Sequence, residues 1–501
     1  MVIPVQPIYR EPRNPEDAGN PFVEALPPCA SDKVILQRLR RKIEFQEVER
    51  SLDAASRLEA VDRLDSWIIP QPEYVPTFRM VEKAILDSYR ARNPFSATTN
   101  HYLHYLNPDD TIEAPDTGRP KSLAKAGTIV GLTGVGKSRM LERVLDYYPQ
   151  VFWHEEYQES KMGLKQVIWL KVTCLDGMSL RGLCLRILGA LDEALDREYT
   201  KPASTIDALS LQIERQLRLN FVGLVAIDEL QELDAGGSVG ADRITAFLLN
   251  LIDRAGVPIL LCGNPKLLKV VTRQFRIARR AEQAGYVEID AMSPKNWSVF
   301  IKHMWKHQWT DVYTKLTPEI VNQLYIFTAG IADFAIKTFK GAQALVIGSG
   351  DERITMQILK EARDTYCPLT RVGLDSLDKE QFSSGTVYYE DLYLSWPRED
   401  STEPVTQAPS KRSRGSKSNR RKTVNKPSLG DLTRPQHPEF FEKLVEARDN
   451  PILRDVMRRT DLMRSMSKGG VDQDVINEDV LLEEPLTAFP KLLQLVDNQT
   501  S

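Results

Sequence analysis

Eight consecutive residues carry the clearest chemistry in the sequence. The segment Gly131-Leu-Thr-Gly-Val-Gly-Lys-Ser138 matches the pattern G-x-x-x-x-G-K-[ST] at every fixed position. Glycines in such a loop let backbone N–H groups close around a polyphosphate, and a helix that starts there adds the positive end of its dipole. The Lys137 ammonium suits the β- and γ-phosphates, and the Ser138 hydroxyl suits Mg²⁺. The pattern predicts that a nucleoside triphosphate contacts Gly131, Thr133, Gly134, Val135, Gly136, Lys137, Ser138 and Arg139.

The flanking residues favour a phosphate-binding loop over the alternative, a simple glycine-rich turn. An apolar run over residues 127–130 predicts a buried strand before the loop. Apolar residues at helical spacing over 139–148 predict a helix after it. Strand, loop and helix in this order are the context that a chance match of the pattern usually lacks.

A second pair of candidate residues, Asp228 and Glu229, follows an apolar run over residues 221–227. Such a run is typical of a central strand covered on both faces. A carboxylate at the end of this strand holds Mg²⁺ in P-loop NTPases, and an adjacent glutamate can polarise the water that attacks the γ-phosphate. Asp-Glu also occurs at strand ends as simple solvation. Because a phosphate-binding loop precedes it, we assign Asp228 to Mg²⁺, together with Ser138, and Glu229 to catalysis.

A third strand, predicted over residues 258–262, runs into Gly263-Asn264-Pro265. A polar residue at the tip of a strand between the two nucleotide-binding strands can orient the attacking water and contact the γ-phosphate. Asn264 has this position and a suitable amide, although Asn-Pro is also an ordinary turn signal. The three segments together are typical of the AAA+ branch of P-loop proteins. They predict an ATPase that uses ATP and Mg²⁺.

Arginines are concentrated just before the last predicted strand of the sheet, at positions 273, 276, 279 and 280. In AAA+ rings an arginine at this location reaches the γ-phosphate held by the neighbouring subunit, where its guanidinium stabilises transition-state charge. Arg276 and Arg279 are the candidates for this role, and a solvated helix face is the alternative. Where many AAA+ proteins have a second arginine that acts within its own subunit, the nearest cation is Lys337, which departs from the usual pattern.

These segments predict an α/β fold, a P-loop NTPase core with a parallel sheet between helices, and flanking regions. We divide the chain into an N-terminal extended peptide and helical partner-binding region over 1–114, an AAA+ nucleotide-binding core over 115–292, an α-helical lid over 293–368, and a mostly disordered tail with a basic linker and short partner-binding helices over 369–501. Further elements are expected as N-terminal helices over 31–64 and 77–91, a strand over 167–173, core helices over 179–196, 204–219 and 240–255, an edge strand over 286–289, and lid helices near 295–308, 317–328, 331–347 and 354–365.

Composition restricts the class of protein. Five cysteines without C-x-x-C spacing and six dispersed histidines predict free thiols in a reducing cytoplasm and no metal cluster. The apolar runs have the length of strands, so we expect no association with a membrane. A net charge of −3 gives no global signal for nucleic acid. One run over 411–426 carries eight basic residues and no acid, which predicts a disordered segment that contacts DNA phosphates or an acidic partner, or else a solvated linker.

The sequence resembles the TnsC family, AAA+ ATPases that regulate target choice in bacterial transposons and are related to the TniB proteins. The N-terminal Asn20-Pro-Phe-Val-Glu-Ala-Leu-Pro-Pro28 is similar to a segment of that family, and we interpret it as a docking peptide. The similarity covers roughly residues 1–365. It also rests on 170–174, 179–180, 224–231, 256–258, 278–280 and 348–355.

The resemblance implies a role that composition does not indicate. TnsC-like proteins assemble as ATP-bound rings or filaments around duplex DNA, receive a signal from a target-selection protein, and recruit the transposase. The implied location is the bacterial cytoplasm. By the same resemblance, the region over 1–90 faces the target selector and the C-terminal tail faces the transposase. Lys171, Ser179 and Arg181 are candidates for DNA contact, with surface solvation as the alternative.

Two other functional classes remain open at this point. An AAA+ helicase loader or replication initiator would share the nucleotide site and the ring. A nucleotide-switched scaffold would use the same site without binding DNA. The N-terminal segment and the lack of an evident helix-turn-helix in the tail favour the transposition regulator over the initiator.

Overall fold

The computed structural model describes residues 3–99, 123–233, 244, 247–272 and 275–371. All of them belong to one compact unit, Met1–Glu399. Arg273, the basic run over 411–426 and the helices expected in the tail lie outside the described residues. Within the described ranges, no helix is long and apolar enough to cross a membrane.

A parallel sheet forms the centre of the fold. The strands are β1 (Ala126–Gly131), β2 (Val151–Tyr157), β3 (Ser160–Val167), β4 (Leu170–Thr173), β5 (Val225–Asp228), β6 (Ile259–Gly263) and β7 (Gly285–Ile289). In the described part of the chain, five of them pair in the order β4-β5-β6-β1-β7, with every neighbouring pair parallel. Strands β1, β5 and β6 are buried along their whole length, because helices cover both faces of the sheet. The predicted parallel sheet between helices is confirmed.

The strand order brings the candidate residues to one edge of the sheet. Strand β6 lies between β1 and β5. The carboxyl ends of parallel strands meet at the same edge, where open α/β sheets bind their ligands. The loop after β1, the Asp228-Glu229 pair at the end of β5 and Asn264 after β6 therefore all emerge on this side.

Helices cover the sheet, and further helices precede and follow its strands in the sequence. They are α1 (Pro21–Glu24), α2 (Asp32–Leu39), α3 (Ala54–Val61), α4 (Tyr74–Arg90), α5 (Lys137–Leu145), α6 (Leu180–Leu195), α7 (Ile206–Leu219), α8 (Lys266–Val271), α9 (Phe275–Ala281), α10 (Pro294–Met304), α11 (Pro318–Thr328), α12 (Ala332–Val346) and α13 (Met356–Tyr366). Of the helix predicted over 240–255, Leu251–Ala255 is a π-helical segment, and residues 240–243 and 245–246 lie outside the description.

The prediction of a single strand over 167–173 is wrong. Strands β2 and β3 form an antiparallel hairpin that ends at Val167, and β4 starts only at Leu170. Between them the chain changes sheets, with Ile168 N donating to Gln150 O at 2.8 Å. The hairpin turns at Gln158 and Glu159, both with positive φ. The apolar run concealed this break because periodicity alone does not mark where a strand changes its partner.

The N-terminal segment over 20–28, interpreted from the sequence as a docking peptide, contributes buried side chains of Phe22, Val23 and Ala25 to the core. Asn20 caps the short helix α1, accepting from Phe22 N at 3.2 Å, and its Nδ2 donates to Tyr89 O at 3.0 Å. The Phe22 side chain is fully buried. Its ring packs against the rings of Phe221 and His154, with centroids 4.5 Å and 5.1 Å away. A side chain in this position stabilises the fold and is not available to a partner.

The helix expected over 31–64 is interrupted, and its second half belongs to the packing of the lid. After α2, Arg41 forms an antiparallel bridge with Ile68, which takes the chain out of helical conformation. Asp53 then caps α3 by accepting from the backbone N–H groups of Ala55 and Ser56. From this point the chain contributes to one core with α10–α13, in Ala60, Val61, Leu64 and Trp67. The three tryptophans of the first lid segment, Trp297, Trp305 and Trp309, are buried in the same core.

The burial of His154 beside Tyr9 predicts that the packing of residues 3–9 against β2 is sensitive to acid. Burial lowers the pKa of His154 to about 4. Its Nδ1 lies 2.8 Å from the Tyr9 hydroxyl, and its Nε2 lies 2.8 Å from Gln166 Oε1. The unfolded chain binds a proton near pH 6.5 and the folded one near pH 4, so stability is lost as the pH falls through that window.

The Val5 and Trp153 amides form the hydrogen bonds that hold residues 3–9 to β2. We expect their hydrogen-exchange protection to fall as the pH is lowered from 6.5 to 4. The loss should reach up to about 3 kcal/mol, since each pKa unit corresponds to about 1.4 kcal/mol. In His154→Gln the protection factors should not change over this window. Equal pH dependence in both proteins would contradict the role of His154.

Candidate nucleotide site

Two glycines in left-handed backbone conformation shape the loop between β1 and α5. Gly134 has a φ of +85° and Gly136 a φ of +100°, values that L side chains rarely adopt. Gly136 directly precedes α5, whose first N–H groups have no partner within the helix and are free for an anion. The helix is fixed against the sheet by its buried apolar face, formed by Met140, Leu141, Val144 and Leu145.

Most residues predicted to contact the nucleotide line one cavity. Its walls are Thr133, Gly134, Gly136, Lys137, Ser138, Arg139, Glu229, Ala332, Asp333 and Ile336. Gly131 and Val135 are not among them. Gly131 ends β1, where a Cβ would lie 2.4 Å from Ile289 O of the neighbouring strand. Val135 packs with the lid cluster that contains Ile331 and Phe334. These two residues therefore shape the loop from outside the cavity.

The lysine of the loop is buried and bonded to the loop itself. Lys137 is 5% exposed, and its Nζ donates to Leu132 O at 3.0 Å. Among the described residues this ammonium has one neutral hydrogen-bond partner, and its two further N–H groups suit a site that receives an anion. Arg139 differs: its guanidinium donates to the backbone oxygen of Asp65, although the residue also lines the cavity.

The two acidic residues after β5 are held in different ways. Asp228 is 1% exposed, and its Oδ1 accepts from Glu229 N at 3.1 Å. Glu229 has φ +55° and ψ +40°, a left-handed conformation that is rare for a non-glycine residue. Such strain is found at functional sites, where the surrounding structure enforces it. The Asp228 carboxylate and the Ser138 hydroxyl are hard oxygen donors, the type of ligand that could hold Mg²⁺.

Two buried thiols flank Asp228 and stay neutral. Burial, together with the charge of Asp228, raises the pKa of Cys174 to about 12. Burial also raises the pKa of Cys262 well above its ordinary value. All five cysteines are unpaired, and Cys29 is the exposed one.

A glutamine that the sequence analysis did not single out joins the two strand tips. Gln231 Nε2 donates to Glu229 Oε2 and, at 3.2 Å, to Glu232 Oε1. Gln231 Oε1 accepts from Asn264 N at 3.2 Å. Asn264 itself is 6% exposed, and its Oδ1 accepts from the N–H of Lys266, the first residue of α8, at 2.9 Å. In the sequence, Gln231 is marked only by its position two residues after Glu229. That position indicates no role by itself, because the contact with Asn264 forms only in the folded chain.

The arginine cluster lies on α9, before β7. Arg276 and Arg279 are both exposed, next to a Phe275 side chain that is 85% exposed. Arg280 differs from them, because its Nη1 lies 2.8 Å from Asp253 Oδ2. This face of α9 therefore presents one apolar ring and exposed guanidinium groups to the solvent.

The lid closes the cavity with an acidic residue. Asp333 N donates to Gly134 O at 3.2 Å, so the start of α12 rests on the phosphate-binding loop. A Cβ at Gly134 would meet Ile331 Cγ2 at 3.1 Å, which shows how close this approach is. Lys337 Nζ lies 2.6 Å from Asp333 Oδ2. Lys337, the lid cation noted in the sequence analysis, is thus paired with the Asp333 carboxylate at the cavity wall.

The structure gives intramolecular partners to each of the three residues considered for DNA contact. Lys171 Nζ lies 2.5 Å from Glu142 Oε1 and 3.6 Å from Asp228 Oδ2, at the end of the sheet that carries the acidic pair. Ser179 caps α6 by accepting from Gly182 N. Arg181 donates to the backbone oxygens of Ala203 and Ser204. Each of the three residues therefore has a local structural role, and their assignment to DNA contact stays a prediction.

A comparison with protein-family models agrees with this architecture. Residues 121–271 match a family model described as an AAA domain. Among curated protein sequences, none matches significantly. Similar solved structures include Cdc6p from Pyrobaculum aerophilum, with 10% identity, coverage of 60% of this chain and 69% of that chain, and a TM-score of 0.40.

Two further solved structures are similar in the same way. The Aeropyrum pernix ORC2 protein in its ADPNP–ADP complexes has 13% identity and a TM-score of 0.34, over 49% of this chain and 63% of that chain, which is less than two thirds of its length. Domain III of the Thermotoga maritima replication initiation protein DnaA has 12% identity and a TM-score of 0.33, over 62% of this chain and 95% of that chain. The family match and the strand order together identify residues 121–271 as an AAA domain within an AAA+ P-loop fold, a fold that binds nucleotide.

Proposed function

We propose that this chain is an ATP-dependent regulator of DNA transposition. In this proposal it forms a ring or filament of identical subunits on duplex DNA without sequence preference, links a target-selection protein to the transposase, and disassembles when ATP is hydrolysed. The observation that carries the nucleotide part is that Lys137, the Asp228-Glu229 pair and Asn264 emerge at one edge of one sheet. The similarity of residues 1–365 to the TnsC family supports the transposition part.

The proposed hydrolysis assigns one task to each side chain. Lys137 binds the phosphates, and Ser138 and Asp228 hold Mg²⁺, which neutralises phosphate charge when bound. Glu229 accepts the proton of the attacking water, and Asn264 orients that water. Asp228 and Asn264 are nearly inaccessible to solvent, and charges interact more strongly in such surroundings than in water.

Arg276 and Arg279 are the proposed contacts to a neighbouring subunit. Both are exposed on α9, and Phe275 beside them offers an apolar anchor that a second copy of the chain can bury. Arginine and aromatic residues are the ones that contribute most to protein interfaces. An arginine that completes the active site of the next subunit would make hydrolysis depend on assembly.

The proposed partners follow from the same resemblance. The target-selection protein would bind the region over 1–90, and the transposase would bind the tail beyond 369. Because Phe22 is buried, a partner at the N-terminal region must use other side chains of that region. The proposed location is the bacterial cytoplasm.

Filter binding with labelled duplex DNA of random sequence tests the proposal. DNA should be retained in the presence of a non-hydrolysable ATP analogue and released in its absence. Lys137→Ala removes the buried ammonium from the phosphate site, so we expect affinity for the analogue to fall about 10- to 100-fold, as for loss of a charged hydrogen bond. Retention of DNA should fall with it. Lys295→Ala makes the same change of charge at an exposed position of α10 and should behave like the unmodified protein.

Each other outcome decides against a stated part of the proposal. Retention of DNA by Lys137→Ala at the unmodified level would contradict the dependence on nucleotide. Retention that requires one particular DNA sequence would favour a replication initiator. Normal analogue binding without any DNA retention would favour a nucleotide-switched scaffold.

A further inference from the structure

The Gln231 side chain connects the two groups to which we assign the chemistry of hydrolysis. Its carboxamide lies between the tip of β5 and the tip of β6, with Nε2 donating to the Glu229 carboxylate and Oε1 accepting from the backbone N–H of Asn264. We propose that Gln231 is a positioning residue, which holds the Glu229 carboxylate at the cavity wall in fixed relation to Asn264. This inference rests on the proposed function, because it concerns the hydrolysis assigned to Glu229.

The orientation of the carboxamide follows from its partners. An amide oxygen only accepts hydrogen bonds, and an amide NH₂ only donates them. The backbone N–H of Asn264 is a donor, so the oxygen of Gln231 faces it at 3.2 Å. The NH₂ group is then turned toward two acceptors, the carboxylates of Glu229 and Glu232. The reverse orientation would place the oxygen against two negative charges and the NH₂ group against a donor.

The carboxamide packs closely against the tip of β6. A Cβ at Gly263, the last residue of β6, would lie 2.2 Å from Gln231 Oε1 and 3.2 Å from Leu267 Cβ. A glycine at this position is therefore what lets the glutamine reach the strand tip. On the other side, the short helix that contains Gln231 starts immediately after Glu229. The left-handed backbone of Glu229 directs the chain into this helix.

Fixing the carboxylate affects the rate of hydrolysis more than the affinity for nucleotide. Glu229 lines the cavity while it accepts from Gln231, so the bond holds it where the attacking water must be. Without that bond the carboxylate has several rotamers, and only some of them lie within reach of the water. Within the described residues, neither Lys137 nor Asp228 has a hydrogen bond to Gln231. Binding of nucleotide therefore does not depend on the Gln231 side chain.

Steady-state ATP hydrolysis and binding of a fluorescent ATP analogue, measured on the full chain, test this role. Gln231→Ala should lower kcat about ten-fold and leave KM and analogue affinity unchanged. Gln231→Glu replaces the donor by a negative charge against Glu229 and should lower kcat further. Glu232→Gln removes the charge of the other carboxylate near Gln231, keeps the bond to Glu229, and should hydrolyse ATP at the unmodified rate.

Gly263→Ala supplies an independent perturbation of the same contact. The added methyl group displaces the carboxamide, so kcat should fall about as far as in Gln231→Ala, again without loss of analogue binding. In the Gln231→Ala background the same substitution should have little further effect, because the displaced group is already absent. A purely structural defect would instead lower analogue binding and would add to the effect of Gln231→Ala.

The failure of this inference is distinct from failure of the proposed function. If the unmodified chain hydrolyses no ATP with Mg²⁺ and duplex DNA present, the proposed function is wrong and the role of Gln231 falls with it. If the unmodified chain hydrolyses ATP and Gln231→Ala does so at the same kcat, the role of Gln231 alone is wrong. Additive effects of Gly263→Ala and Gln231→Ala on kcat would overturn it too.

Discussion

Replacing Glu229 by glutamine is expected to reduce ATP hydrolysis by about 100-fold or more while ATP binding stays intact. The substitution removes the group that accepts a proton and keeps the size of the side chain. The amide oxygen that replaces the carboxylate can still accept from Gln231 Nε2, so the local structure should be preserved. Asp228 and Lys137 have other partners and are unaffected.

The same variant tests whether hydrolysis times the assembly on DNA. If hydrolysis dismantles the DNA-bound complex, Glu229→Gln should remain bound to duplex DNA for longer than the unmodified protein. The measurement is the dissociation of labelled duplex after addition of excess unlabelled duplex, with ATP and Mg²⁺ present. Glu232→Gln, with the same change of charge three residues later, is the matched control. Release of DNA at the unmodified rate by a Glu229→Gln protein that hydrolyses no ATP would show that hydrolysis does not control disassembly.

The parts of the site that the sequence predicts are those whose chemistry is local. The phosphate-binding loop needs glycines with positive φ, a lysine and a helix start within eight residues, so the pattern and the structure agree at Gly134, Gly136 and Lys137. A buried strand that ends in an acidic residue is equally local. Its position beside the loop then follows from the edge at which parallel strands end.

The parts that the sequence does not predict depend on contacts between distant segments. Gln231 becomes informative only when β6 brings Asn264 N within 3.2 Å of it. The role of Phe22 depends on the ring of Phe221, almost two hundred residues away. Lys171 has the charge expected of a DNA contact, and the pairing of β4 with β5 is what places it 3.6 Å from Asp228. In such cases the burial of a side chain and its contact partners cannot be read from residue type.

The N-terminal region connects the sheet to the lid, which the sequence treats as separate parts. On the core side, Arg143 of α5 donates to the backbone oxygens of Arg38 and Leu39. On the lid side, Lys340 Nζ lies 2.6 Å from Asp65 Oδ2. The nucleotide cavity lies between the loop before α5 and the start of α12. Because residues 38–65 contact both of these helices, they connect the two walls of the site. The stability of that segment therefore bears on the geometry of the site.

A buried ion pair anchors this segment to the lid, and its loss is the second large effect that we expect. Arg57 of α3 donates through both terminal nitrogens to Glu352, and each side chain is 8% exposed. Glu352 also accepts from Gly348 N at 2.7 Å and from Asp311 N at 2.6 Å. Arg57→Met leaves this carboxylate buried without its cation, which should lower the free energy of unfolding by about 3–5 kcal/mol. Arg353→Met, at a neighbouring side chain that is 66% exposed, should change it by less than about 0.5 kcal/mol.

The pH dependence identifies Glu352 as the group responsible. The hydrogen bonds and charge of Arg57 hold the pKa of Glu352 at about 2, against 4.5 for the unfolded chain. The carboxylate therefore stabilises the fold above pH 4.5, and about 3 kcal/mol of this stability should be lost as the pH falls toward 2. Urea unfolding, followed by the fluorescence of the buried lid tryptophans, measures it. In Glu352→Gln this part of the pH dependence should be absent. If that variant loses stability between pH 4.5 and pH 2 as steeply as the unmodified protein, another carboxylate controls the acid unfolding of the lid.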